Sequence, residues 1–138
     1  MNAPHYTIEI LRLAASLSDP RDLDDADGRA ELRSPTCGSR IATSVKLDEQ
    51  GRVAVLGQQV HACAFGQASA ALLEQGAAGR SRDEVGHALS TLTDWLDGAD
   101  AEPAWGLTAL APARSRKSRH GAILLPFRAL LAAIEDAG

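Results

Sequence analysis

"RIATSVKLDEQGRVAVLGQQVHACAFGQASAALLEQG", residues 40 to 76, changes period midway, and that change decides the fold. Ile41, Thr43, Val45 and Leu47 alternate with polar partners, and the pattern resumes at Val53, Val55 and later Val60. Alternation at period two, rich in β-branched side chains, is the pattern of half-buried strands. The polar turn from Asp48 to Gly51 separates the two runs, so they form an antiparallel hairpin. Gly57 inside the second run marks a bulge or a close backbone approach. Past Cys63 the spacing becomes helical: Phe65, Ala68, Leu72 and Leu73 fall along one side, and the first turn begins at or just after Cys63.

Upstream, "RAELRS" (29–34) alternates Ala30 and Leu32 with Glu31 and Arg33, which supplies a third antiparallel strand. Before it, "PHYTIEILRLAASL" (4–17) reads as a helix with Ile8, Leu11 and Ala15 on its apolar face and Ile10, Leu13 and Leu17 on the flank. Pro4 suits its first turn, and Pro20 with a solvated acidic stretch ends it. Downstream, Ser81 and Glu84 are spaced as a capping box; Val85, Leu89, Leu92 and Leu96 keep helical spacing, and Gly98 is the stop. In the final helix, "AILLPFRALLAAIED", Pro126 leaves two options: the helix begins near Leu125, or it kinks at the proline. The expected class is α+β over one domain, residues 1–138. It has a three-stranded antiparallel sheet with helices packed on one side, an N-terminal helix and a long C-terminal helix.

A chain of 138 residues, 45% hydrophobic and 23% charged, can bury a core without disulfides. A net charge of -4 and an aromatic content of 4% argue against nucleic acid as a partner. No apolar run approaches the roughly 18 residues a membrane span needs. "MNAPHYTIEI" has no basic stretch leading into an apolar one, and two cysteines in such a chain read as reduced thiols. The expected location is therefore the cytoplasm.

The chemistry centres on those two cysteines. Packing as a small apolar residue is the ordinary fate of a free cysteine. Cys37 instead sits in a Pro/Gly turn, "RSPTCGSRI" (33–41), where backbone amides are free and Gly38 permits close approach. Cys63 sits where strand hands over to helix, a position in which a sulfur can face amide donors and the positive end of the helix dipole. A metal site needs three or four N, S or O ligands. His5 and His87 read as helix-surface residues. His61 shares a strand face with Cys63 and is either a ligand or a neighbour. His120 closes a basic loop, precedes Gly121 and opens the last helical stretch, which makes it a ligand candidate. Arg114, Arg116, Lys117 and Arg119 form either a solvated loop or a docking patch for an acidic partner.

"SPTCGSRIATSVKLDEQGRV" (34–53) followed by "VHACAFGQASAALLEQGAAGRSRDEV" (60–85) resembles the iron–sulfur cluster scaffold family of the NifU N-terminal/IscU type, most closely its Suf-serving branch. That family carries an "NPxCGD" turn, "GxGCxISxASAS" at a helix start, "GKSxxEA", and a final Pro/Arg loop leading into "(H/K)C" and a terminal helix. "LAPARSRKSRHGAILLPFRALLAAIED" (110–136) is similar to that last stretch. The likeness runs from about Arg29 to Ile134. It implies a site at one end of the sheet, with Cys37 and Cys63 as the first two ligands and His120 as the residue before the third cysteine. Ser39 stands in place of the family's acidic residue, Gly121 in place of its third cysteine, and residues 115–118 look inserted.

The function so implied is a scaffold or sulfur acceptor rather than an enzyme. It would bind iron, a transient iron–sulfur cluster or Zn2+ at Cys37, Cys63 and His120. It would take sulfur from a cysteine desulfurase and serve apo iron–sulfur client proteins, as a monomer or weak homodimer. The alternative is a zinc-bound or metal-free regulatory module that docks on the desulfurase. A thiol enzyme, with Cys63 as nucleophile and His61 or His120 as base, is a third and more distant reading.

Overall fold

The computed structural model describes residues 6–35 and 38–138. Its elements follow in the order α1 (Ile8–Ala15), β1 (Gly28–Arg33), β2 (Arg40–Leu47), β3 (Val53–His61), α2 (Ala64–Gly76), α3 (Arg82–Leu96), two 3-10 stretches (Leu107–Ala113 and Lys117–Arg119) and α4 (His120–Ala137). The strands form one antiparallel sheet in the order β1-β2-β3. This is the expected α+β class, with the expected hairpin.

Register decides which side chains meet the helices. Leu32, Ile41 and Val60 stand opposite one another across the three strands. They pack with Leu125 and Ala129 of α4. The same alternation sends Arg33, Arg40 and His61 to the other face. Gly28 brings β1 against α4 without a side chain between them: a Cβ there would collide with Ala133 O and lie 2.8 Å from Ala137 N. Gly57 is a close approach rather than a bulge, since a Cβ on it would sit 2.6 Å from Arg21 O. The irregularity in the ladder falls instead between Lys46 and Leu47.

The main core lies between α2, α3, α4 and the 3-10 stretch, around Phe65, Leu73, Leu92, Leu107, Leu110, Ile123, Phe127 and Leu130. Burying each such side chain is worth about 1.5–3 kcal/mol. Tyr6 meets Phe65 edge-on, with ring centroids 5.0 Å apart. α1 turns its Ile10 inward, fully buried, while Ile8 and Leu11 are exposed. The apolar face read for this helix is thus rotated: Ile10, read as flank, is the anchor. Its start is set by Thr7, whose hydroxyl accepts from the Ile10 amide; Pro4 and His5 lie outside the described residues.

Of the two readings of Pro126, the later start of the last helix is overturned. It starts at His120 and carries Pro126 within it. Proline has no N–H, so the Ala122 carbonyl one turn back loses its helical donor. Fully buried Ser69 of α2 donates its hydroxyl to the neighbouring Ile123 carbonyl at 2.6 Å.

α3 opens with the capping box read in the sequence: the Ser81 hydroxyl accepts from the Glu84 amide, and the Glu84 carboxylate accepts from the Ser81 amide. That backbone N–H, then the Arg52 guanidinium at 2.7 Å, lowers the Glu84 carboxyl from 4.5 to about 2. A depressed carboxyl stabilises the fold above its unfolded value, and that contribution is lost as pH falls from 4.5 through about 2. Glu84→Gln should therefore lower the urea midpoint at neutral pH and flatten its acid decline; equal acid slopes in the two proteins would refute the linkage.

Candidate functional site at the Cys63 end of the sheet

The turn between β1 and β2 is closed by its own backbone. Ser34 donates its amide to Ser39 O at 2.8 Å, and Gly38 donates to Ser34 O at 3.2 Å. Gly38 holds φ at 71°, a left-handed conformation that glycine adopts without strain. Cys37, read as a ligand, lies outside the described residues.

Cys63 is the N-cap of α2, with φ -67° and ψ 173°. Its sulfur accepts no cap hydrogen bond, contrary to the expectation that it would face the helix amides. Gln67, one turn on, donates to Ala62 O at 2.9 Å and holds the strand-to-helix handover in place. Cys63 is partly exposed and opens onto a shallow cavity of about 500 Å³ with Val60, His61, Ala62, Gln67, Gly38 and Ser39. One rim thus combines Cys63 with the two residues that follow Cys37. Ser39 is buried there.

His120 begins α4. Its Nε2 lies 2.9 Å from Ala113 O and 3.2 Å from Arg114 O. Carbonyls only accept, so Nε2 carries the proton, and in the neutral ring Nδ1 keeps the lone pair. A histidine that binds a metal commonly anchors its other nitrogen in this way. The ring does not line the Cys63 cavity. The two helix starts nonetheless meet. A Cβ on Gly66 would stand 3.3 Å from both Cβ and O of Ala122, so the first turn of α4 lies on the first turn of α2. Among the described residues, no three His, Cys, Asp or Glu side chains converge as a metal site; the set read in the sequence includes Cys37 and extends beyond them.

Of the basic loop, Arg114 is structural. It donates to Trp95 O and Ala99 O at 2.9 and 3.0 Å and stacks on the Trp95 ring at 4.8 Å. Arg116, Lys117 and Arg119 make no ion pair among the described residues. His87 is exposed on α3, as read.

Comparison with solved structures finds this architecture in the crystal structure of a nitrogen-fixing NifU-like protein (N-terminal) from Brucella abortus. The TM-score is 0.87 at 29% identity over 96% of this chain and 93% of that one. The chain is similar in fold and sequence to NifU N-terminal/IscU-type proteins. A protein described as an iron–sulfur cluster assembly scaffold for the SUF system, from Fervidobacterium islandicum AW-1, shares the fold at TM-score 0.84. It is 17% identical, over 94% of this chain and 96% of that one. A hypothetical protein matches at TM-score 0.78 and 23% identity, over 93% and 97%. No family model and no curated protein matches the chain. Within the described residues, this chain has Cys63 at a strand-to-helix handover and His120 at the head of the last helix, and it carries Gly121 as the second residue of α4.

Sequence reasoning passed over Arg33 and Arg40. They flank the Cys37 turn and stand directly opposite each other in the β1–β2 register, with His61 next in the row. Their placement on either side of a turn between two alternating runs was the available signal.

Proposed function

We propose that this chain is an iron–sulfur cluster assembly scaffold, or scaffold-like sulfur acceptor, whose cargo is held at Cys37, Cys63 and His120. The observation that carries the reading is the uncommitted Cys63 sulfur on a rim shared with Gly38 and Ser39. The likeness to a NifU-like N-terminal protein supports it. The donor set suits the cargo. Two thiolates and an imidazole are ligands for iron or zinc, and a [2Fe–2S] cluster needs four ligands, so the fourth comes from outside the set. With Ser39 and Gly121 in place of a carboxylate and a thiol, the cargo is held more weakly than by a complete set.

Sulfur arrives by thiol exchange. The Cys63 thiolate attacks the outer sulfur of a persulfide on the desulfurase. The donor S–S bond breaks, the donor cysteine leaves as thiolate, and Cys63 becomes the persulfide, with no net oxidation. Arg116, Lys117 and Arg119 offer an acidic partner a docking patch beside α4.

Anaerobic reconstitution with iron and sulfide, and separately incubation with a cysteine desulfurase and its substrate cysteine, test the proposal. A visible charge-transfer band, and a cysteine peptide heavier by one sulfur atom, are expected. Colourless protein with no persulfide on either cysteine would sink it. One tightly held zinc with no cluster uptake would instead favour the regulatory, desulfurase-docking reading.

A further inference from the structure

Arg33, Arg40 and His61 form a row across the three strands, on the sheet face turned away from α4. Two guanidinium side chains directly opposite each other in a ladder repel. Among the described residues, one carboxylate pairs with this row: Glu31 lies 3.9 Å from Arg33, with both side chains more than half exposed. Arg40 has no ion pair among the described residues. The three cationic or titratable groups line an open cavity of about 430 Å³ with Ser34, Pro35 and Gly38. That cavity shares Gly38 and His61 with the one onto which Cys63 opens. A costly arrangement of like charges therefore borders the thiol rim, and a bound anion would relieve it. Guanidinium pairs are matched by geometry to carboxylates.

We propose that Arg33 and Arg40, with His61, form a carboxylate-binding platform. It holds a carboxylated thiol of low molecular weight, of which free cysteine is the smallest, with its sulfur toward Cys63. The platform deepens the scaffold reading, because such a thiol supplies the sulfur ligand that Gly121 cannot.

The test uses the metal-free Cys37→Ser protein, in which Cys63 is the single thiol. Its rate of exchange is measured with an anionic disulfide, 5,5'-dithiobis(2-nitrobenzoate), and a neutral one, 4,4'-dithiodipyridine. In each exchange the Cys63 thiolate attacks one sulfur, a mixed disulfide forms and an aromatic thiolate leaves. Adding Arg33→Gln and Arg40→Gln should slow the anionic reaction about tenfold, the low end of electrostatic steering, and leave the neutral one unchanged. Added salt should slow the anionic reaction only while the arginines are present. Lys46→Gln, on the same face and six positions along β2 from Arg40, controls for net charge and should change neither. An anionic-to-neutral rate ratio unaffected by the arginine substitutions overturns the proposal. So does an equal fall in both rates, which would reflect access to the thiol rather than charge. Because no iron is present, the ratio stands or falls separately from cluster reconstitution.

Discussion

Cys63→Ser should leave the protein folded and unable to keep sulfur or cluster. The helix gives the first half of that result. Cys63 is the N-cap of α2, and its sulfur takes no cap hydrogen bond. Serine is among the preferred N-cap residues, nearly isosteric with cysteine, and its hydroxyl can accept from the free amides that the sulfur leaves unused. The loss falls on the rim. A serine hydroxyl does not supply the soft thiolate that iron and persulfide sulfur require. Partners that merely orient ligands are worth about 10–100-fold in metal affinity, so loss of a ligand should exceed about 100-fold. Iron and sulfide retained after desalting, with far-UV circular dichroism alongside, provide the measurement. Wild-type cluster retention by the variant would remove Cys63 from the site.

Gly28→Ala should be the most damaging single methyl group in the described fold. β1 and α4 are in contact there with no room between them: the added Cβ meets Ala133 O and comes within 2.8 Å of Ala137 N and 3.0 Å of Ala137 Cβ. Two of these are backbone atoms of a helix, which cannot swing aside as a flexible side chain can. The helix or the strand must move, in an interior packed as densely as a crystal. Overpacking costs about 1–3 kcal/mol and occasionally more, and here the upper end is expected. For a chain of this size that corresponds to a melting temperature lower by roughly 10 °C. The displacement would also shift the α4 packing that sets His120 near α2, so cargo retention should fall with stability. A variant that melts with the wild type would show that β1 and α4 are not in this register.

Several features were legible because their causes are local. The hairpin, the change of period at Cys63 and the capping box at Ser81 depend on residues within a few positions of one another. The α1 face was misread because Ile8, Ile10, Leu11 and Leu13 surround an eight-residue helix, and α2 with the core selects Ile10. Pro126 left open a later start to α4 or a kink, and the start at His120 was settled by a helix whose residues 122–127 are all buried against the rest of the fold.

For the site, the order of residues dictates which sulfur and imidazole groups exist and which kinds of local structure carry them, since turn chemistry and helix starts are written in short motifs. Tertiary structure alone decided that Cys63 shares a rim with Gly38 and Ser39, that the His120 ring spends its Nε2 proton on Ala113 and Arg114, and that Arg33 faces Arg40. Strand register and helix packing join residues far apart along the chain, and no spacing within a short window encodes which of them will meet.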